Sequence, residues 1–189
     1  MEHKEPWEAF PDIWKTPAAF WAWVRGGIRG AVWKRYPAKL DWKRDQMVPP
    51  PDGYTGRAKS LGKCHYCGEM FSASSLEVDH VEMAGSCNSW ETAGKFLQNL
   101  LNTNGNWVLA CKPCHKVKSY AERSGVPFED ALAEKWAIAF MKRHKKSEVL
   151  AHCEKFGHNS GALSNDKRRR EALVEIYKKE KLKGATSNE

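Results

Sequence analysis

The sequence predicts an α+β fold that is mostly helical, with a small cysteine-braced centre and helical extensions on both sides. Three observations carry this expectation. Two Cys-x-x-Cys pairs, Cys64/Cys67 and Cys111/Cys114, are separated by 43 residues, and each demands a tight turn. Short runs with strand character, residues 75–81 and 107–110, lie within that segment. Helical spacing dominates on either side of it.

Taken in chain order, Thr16-Pro17 is a helix start, with Pro at the first helical position. The helix is expected over residues 18–36, where Phe20, Val24 and Ile28 share a face. Gly26, Gly27 and Gly30 weaken it. Residues 49–53, Pro-Pro-Pro-Asp-Gly, form a linker or turn. Asn88 with Glu91 three residues on resembles a capping box, opening a helix over residues 89–101. Residues 102–106 are a turn cluster of Asn, Thr and Gly. Pro113 opens a helix reaching Ser124. Further helices are expected over residues 127–146, 147–156 and 167–182, the last capped by Ser164 or Asp166. Arg168, Arg169 and Arg170 fall in its first turn, where cations oppose the helix dipole. Either an anionic partner or a solvated face accounts for them. Residues 183–189 read as a disordered tail.

Composition excludes several classes. Hydrophobic residues are 41% and include nine Trp, enough for a packed core in 189 residues. No N-terminal apolar run resembles a signal peptide. Arg25 and Arg29 interrupt the most aromatic stretch, which argues against a membrane span. The expected compartment is a reducing cytoplasm, where paired Cys bind metal rather than each other. Net charge is +8 and uneven. Residues 1–63 carry twelve Lys/Arg against seven Asp/Glu, and residues 126–189 fourteen against ten. Residues 64–125 carry five against six. Basic flanks around a near-neutral centre suit a polyanion such as DNA.

The two cysteine pairs supply four thiolates, the donor set of a structural zinc. Cys111 to His115 also fits a haem-attachment pattern, but that leaves Cys64 and Cys67 without a role. Cys87 and Cys153 are spare and read as buried thiols. Within the same segment lie Asp79, His80, Asn106 and His115, a second set of oxygen and nitrogen donors. That set suits a divalent cation with a histidine base beside it.

Glu77-Val78-Asp79-His80-Val81, then Asn106-Trp107-Val108-Leu109-Ala110-Cys111, then Cys114-His115-Lys116-Val117-Lys118-Ser119, resemble the signature of the HNH (His-Me finger) endonucleases. The resemblance covers about 56 of 189 residues. It implies the ββα-metal fold, in which a two-stranded hairpin packs on a helix around one catalytic cation. It implies His80 as general base and Asp79 and His115 as ligands of a divalent cation, most simply Mg²⁺. Asn106 would hold the loop and orient His80, or reach the metal; Asn102 and Asn104 are its rivals. Small size and basic arms are similar to free-standing phage or homing-type members, which act in the host cytoplasm.

Three regions follow: a basic, Trp-rich arm over 1–58, a nuclease module over 59–125 and a helical extension over 126–189. DNA is the expected partner, with Arg25, Arg29, Lys34, Arg35, Lys116 and Lys118 as candidate phosphate contacts. For Lys116 and Lys118 a solvated helix face is the alternative. A protein partner bound through the Trp-rich arm, or a zinc-braced DNA-binding protein without catalysis, are the competing readings.

Overall fold

The computed structural model describes residues 3–102 and 105–186, with side chains described as far as residue 181. The fold is α+β and mostly helical, with two two-stranded antiparallel sheets. It forms two compact units, Met1–Lys112 and Pro113–Glu189. No helix among the described residues is long and apolar enough to cross a membrane.

The N-terminal unit begins with α1 (Pro6–Ala9) and α2 (Pro17–Gly27). Thr16 caps α2 by accepting from the Ala19 N–H at 3.2 Å, and Pro17 fills the first helical position. At Ile28 the helix widens to a π turn through Trp33, following Gly26 and Gly27. Helix α3 (Pro37–Asp45) follows. Strands β1 (Leu61–Lys63) and β2 (Met70–Ser72) pair antiparallel around the first cysteine pair. A side chain at Gly62 would meet Leu109, Leu76 and Met47 within 2.9 Å, so glycine lets these elements approach.

Strand β3 (Leu76–His80) pairs antiparallel with β4 (Trp107–Cys111), in a register that puts Leu76 opposite Cys111 and His80 opposite Trp107. Between them lies α4 (Trp90–Leu101). Its cap is Ser89 rather than Asn88. Ser89 Oγ accepts from the Thr92 N–H, and Thr92 Oγ1 accepts from the Ser89 N–H at 3.0 Å. The Ser89–Thr92 pair closes the reciprocal box one residue later than Asn88 and Glu91 would. Asn88 instead accepts from the Thr92 hydroxyl. The core of this unit buries Phe20, Trp21, Ala84, Cys87, Phe96 and Leu100, with Trp7, Trp14 and Trp33 packed on it. Phe20 and Trp21 of the arm are therefore buried against α4 and the loop before it, while Tyr36 and Trp42 pack on Trp107 of β4 and Phe10 and Trp23 are exposed.

The C-terminal unit takes in most of α5 (Lys112–Ser124), followed by α6 (Phe128–Arg143), α7 (Lys146–Lys155) and α8 (Asp166–Thr186). Val117, Ala121 and Ala131 bury the α5–α6 contact. Ala137, Val149, Cys153, Leu163, Leu173 and Ile176 bury the contact among α6, α7 and α8. Two predictions are corrected here. Asn165, not Ser164 or Asp166, caps α8 by accepting from the Arg168 N–H at 2.9 Å. Residues 183–186 of the expected tail are helical, continuing α8; residues 187–189 lie outside the described residues.

Candidate metal and catalytic centre

The first cysteine pair sits on the turn between β1 and β2. Gly68, at φ 74°, closes it by donating to the Cys64 carbonyl at 2.9 Å. The His65 N–H donates to the Leu109 carbonyl at 2.8 Å, tying this turn to β4. The second pair spans the end of β4 and the first turn of α5, so Cys111 and Cys114 are separated by one helical turn.

The sulfurs of Cys64, Cys67, Cys111 and Cys114 all lie within 4.8 Å of one another. A tetrahedral zinc with Zn–S of about 2.3 Å spaces its sulfurs by about 3.8 Å. The cluster therefore fits a closed tetrahedral site with little adjustment, and four thiolates suit zinc. Cys64, Cys111 and Cys114 are buried and Cys67 is exposed. Burial pushes the Cys64 thiol up, but backbone N–H groups of Cys111, Cys67 and Tyr66 and the Cys67 side chain outweigh it. Cys64 ends at about 7. The Cys111 N–H lies 3.3 Å from the Cys64 sulfur. Such donors stabilise a thiolate before and after metal binding.

Asp79, His80 and Asn106 meet at the end of the β3–β4 ribbon. Asn106 Oδ1 accepts from the Glu82 N–H at 2.7 Å, and its Nδ2 donates to the Glu82 carbonyl at 3.0 Å. Both ends of the amide therefore hold the loop that follows His80. Asn102 is exposed, and Asn104 lies outside the described residues.

Asp79 is 7% exposed; its Oδ2 accepts from the Tyr66 hydroxyl at 3.2 Å, and Oδ1 from the His80 N–H at 2.9 Å. Tyr66 comes from inside the first Cys-x-x-Cys pair, so the thiol cluster and the carboxylate share a brace. His80 is 8% exposed, with its ring 4.7 Å from Trp33. Its Nε2 lies 2.9 Å from the Leu100 carbonyl and 3.2 Å from the Trp107 indole nitrogen. One ring nitrogen serves only one of them, since indole N–H is a donor and the carbonyl an acceptor. The carbonyl is the closer partner, and as one of the last four of α4 it lacks an intrahelical donor. We assign an Nε2–H bonded to Leu100, which places the basic lone pair on Nδ1. Tyr36 caps the neighbouring Leu101 carbonyl at 3.2 Å. Tyr66 left no signal in the sequence; Trp33 and Tyr36, aromatics interleaved with the cations of the arm, pack against this strand pair, and Trp107 lies opposite His80 by strand register.

His115 lies in α5, directly after Cys114, and is half-buried. Among the described residues, the four thiols form the one group of three or more His, Cys, Asp or Glu side chains close enough to share a metal.

The candidate phosphate contacts divide. Arg29, Lys34, Arg35 and Lys116 are exposed. Arg25 is half-buried and donates to the Cys87 carbonyl at 3.5 Å. Lys118 is 8% exposed and pairs with Glu122 at 2.5 Å. Another cation of the basic arm, Lys43, donates to the Ala73 and Leu76 carbonyls at 2.8 and 2.6 Å and fastens α3 beside β3. Comparison with models of known protein families, with curated proteins and with solved structures finds no match to this chain.

Proposed function

We propose that the chain is a metal-dependent endonuclease of the HNH type that hydrolyses DNA phosphodiester bonds. The observation that supports this reading best is the clamp of Asn106 on the loop after His80, set beside Asp79 on a strand pair that ends at the cysteine cluster.

In this reading the Leu100 carbonyl fixes the tautomer of His80, and Nδ1 takes a proton from water. The water oxygen bonds to phosphorus, the P–O3′ bond breaks, and the 3′ oxygen leaves to be protonated by solvent. The charge that forms on the imidazole lies at the C-terminal end of α4, where the negative end of the helix dipole favours a cation. Asp79 and His115 would hold a divalent cation, most simply Mg²⁺, whose chemistry is to offset charge on the phosphate and the leaving oxygen. The four thiols would hold a structural zinc that contributes folding energy. Arg29, Lys34, Arg35 and Lys116 would contact phosphate. Lys118 and Arg25 are already committed within the protein and drop out of that set.

The second reading is a zinc-braced DNA-binding protein without catalysis. The burial of His80 and its bond to Leu100 favour it, since both describe a histidine that caps a helix. Supercoiled plasmid incubated with purified, zinc-loaded protein separates the two. The nuclease reading predicts relaxed or linear DNA with Mg²⁺ and none with EDTA. Intact plasmid with Mg²⁺ and with Mn²⁺, alongside measurable DNA binding, would favour the second.

A further inference from the structure

The C-terminal unit contains a cavity of about 480 Å³ that the proposed catalytic centre does not use. Its apolar lining includes Ile138, Met141 and Val149. Lys142 of α6, Lys146 of α7, and Lys167 and Arg170 of α8 line it as well. The one carboxylate in the lining, Asp166, is paired with Arg169. Arg169 is itself buried, donating to the Leu163 and Ser164 carbonyls, so that pair braces the wall rather than neutralising the opening. Lys142, Lys146 and Arg170 have no carboxylate partner among the described residues, and Lys167 reaches Glu171 only at 4.0 Å.

A solvated face does not explain this convergence. Lys146 and Lys167 sit in the first turns of α7 and α8, where the positive end of the helix opposes a cation. Like charges from three helices around one cavity add a second repulsion. An anion removes both. Several exposed, flexible cations around one opening exceed what a single small phosphate requires, and they suit a backbone that delivers phosphates in series.

We propose that this cavity is a nucleic-acid subsite, in which Lys142, Lys146, Lys167 and Arg170 bind backbone phosphates of DNA. The choice of DNA rests on the nuclease reading above. The subsite itself stands on this cavity.

The test is fluorescence anisotropy of a labelled 20-bp duplex with the full chain across a salt series. The quadruple variant K142Q/K146Q/K167Q/R170Q is compared with wild type and with the matched control K135Q/K155Q/K179Q/K181Q. Thermal melts and zinc content establish that each variant is folded. The proposal predicts at least about tenfold weaker binding at 0.1 M salt, with a salt slope reduced by about 3.6 (about 0.9 per contact). The control stays near wild type. Wild-type affinity in the quadruple variant overturns the proposal. So does an equal loss in the control, which would show net charge alone at work. Loss of inorganic-phosphate binding with DNA binding unchanged overturns it too. Failure of the nuclease reading is separate: it appears as absent cleavage by wild type, whatever the quadruple variant binds.

Discussion

At the scale of single residues, the cysteines make the sharpest statement. Cys64 is a proposed ligand and Cys87 a core thiol at 0% exposure, so substituting either is expected to cost stability. Zinc content is therefore the readout that separates them. Cys64→Ser is predicted to lose the metal, whereas Cys87→Ala keeps one zinc per chain; metal analysis of the two purified variants decides this. Asn106 gives a second test. Asn106→Ala removes both bonds to Glu82 and is expected to cost about 1 kcal/mol. Zinc stays bound while plasmid cleavage falls, because the loop after His80 loses its fastening; unchanged cleavage would show that the clamp is not used in catalysis.

At the scale of elements, α4 is the insertion between β3 and β4, and its ends are satisfied by different means. Ser89→Ala should cost about 1 kcal/mol through loss of the cap, and Phe96→Ala about 3–5 kcal/mol, since Phe96 is 1% exposed. Denaturant melts check both. The α6–α8 core carries a pH dependence. Burial pushes the Cys153 thiol up, with Arg169 pulling the other way. The folded state then keeps a proton that the unfolded chain releases near pH 8.5, so stability falls as pH rises through that value. Cys153→Ala is expected to flatten the fall above about pH 8.5, measured by thermal melts.

The elements also show where the sequence was legible. The β3–β4 segments were readable because hydrophobic strand residues run straight into a Cys-x-x-Cys turn, and the long C-terminal helices because their apolar positions repeat. Strands β1 and β2, of three residues each, are too short to show a period, and α1 has a single turn. The cap of α4 missed by one residue because Asn88 and Ser89 are both good caps and only the partner at Thr92 decides. The site was legible as a list, Asp79, His80 and Asn106, but not as an arrangement. The bonds of Tyr66 to Asp79 and of Leu100 to His80 join residues 13 and 20 apart, through tertiary structure that no spacing encodes.

At the scale of the whole molecule, charge and chemistry are segregated. The arm packs most of its aromatic residues on the core around α4 and on Trp107 and leaves Arg29, Lys34 and Arg35 in solvent, while the C-terminal unit gathers its own cations around a cavity. The strand pair between these regions in sequence carries the near-neutral centre. On the proposed reading such a molecule would gain affinity from its flanks and chemistry from its middle, so binding and cleavage should be separable by mutation. His80 is where that separation is sharpest. Its buried ring also caps α4, so His80→Ala alone would confuse loss of a base with loss of packing. His80→Gln keeps an N–H for the Leu100 carbonyl and supplies no group that accepts a proton near neutral pH. The decisive measurement is Mg²⁺-dependent plasmid cleavage by wild type and His80→Gln, at concentrations where both bind DNA and both hold one zinc. The account predicts cleavage by wild type and a loss of at least about a hundredfold in the variant; equal cleavage by the two would contradict it.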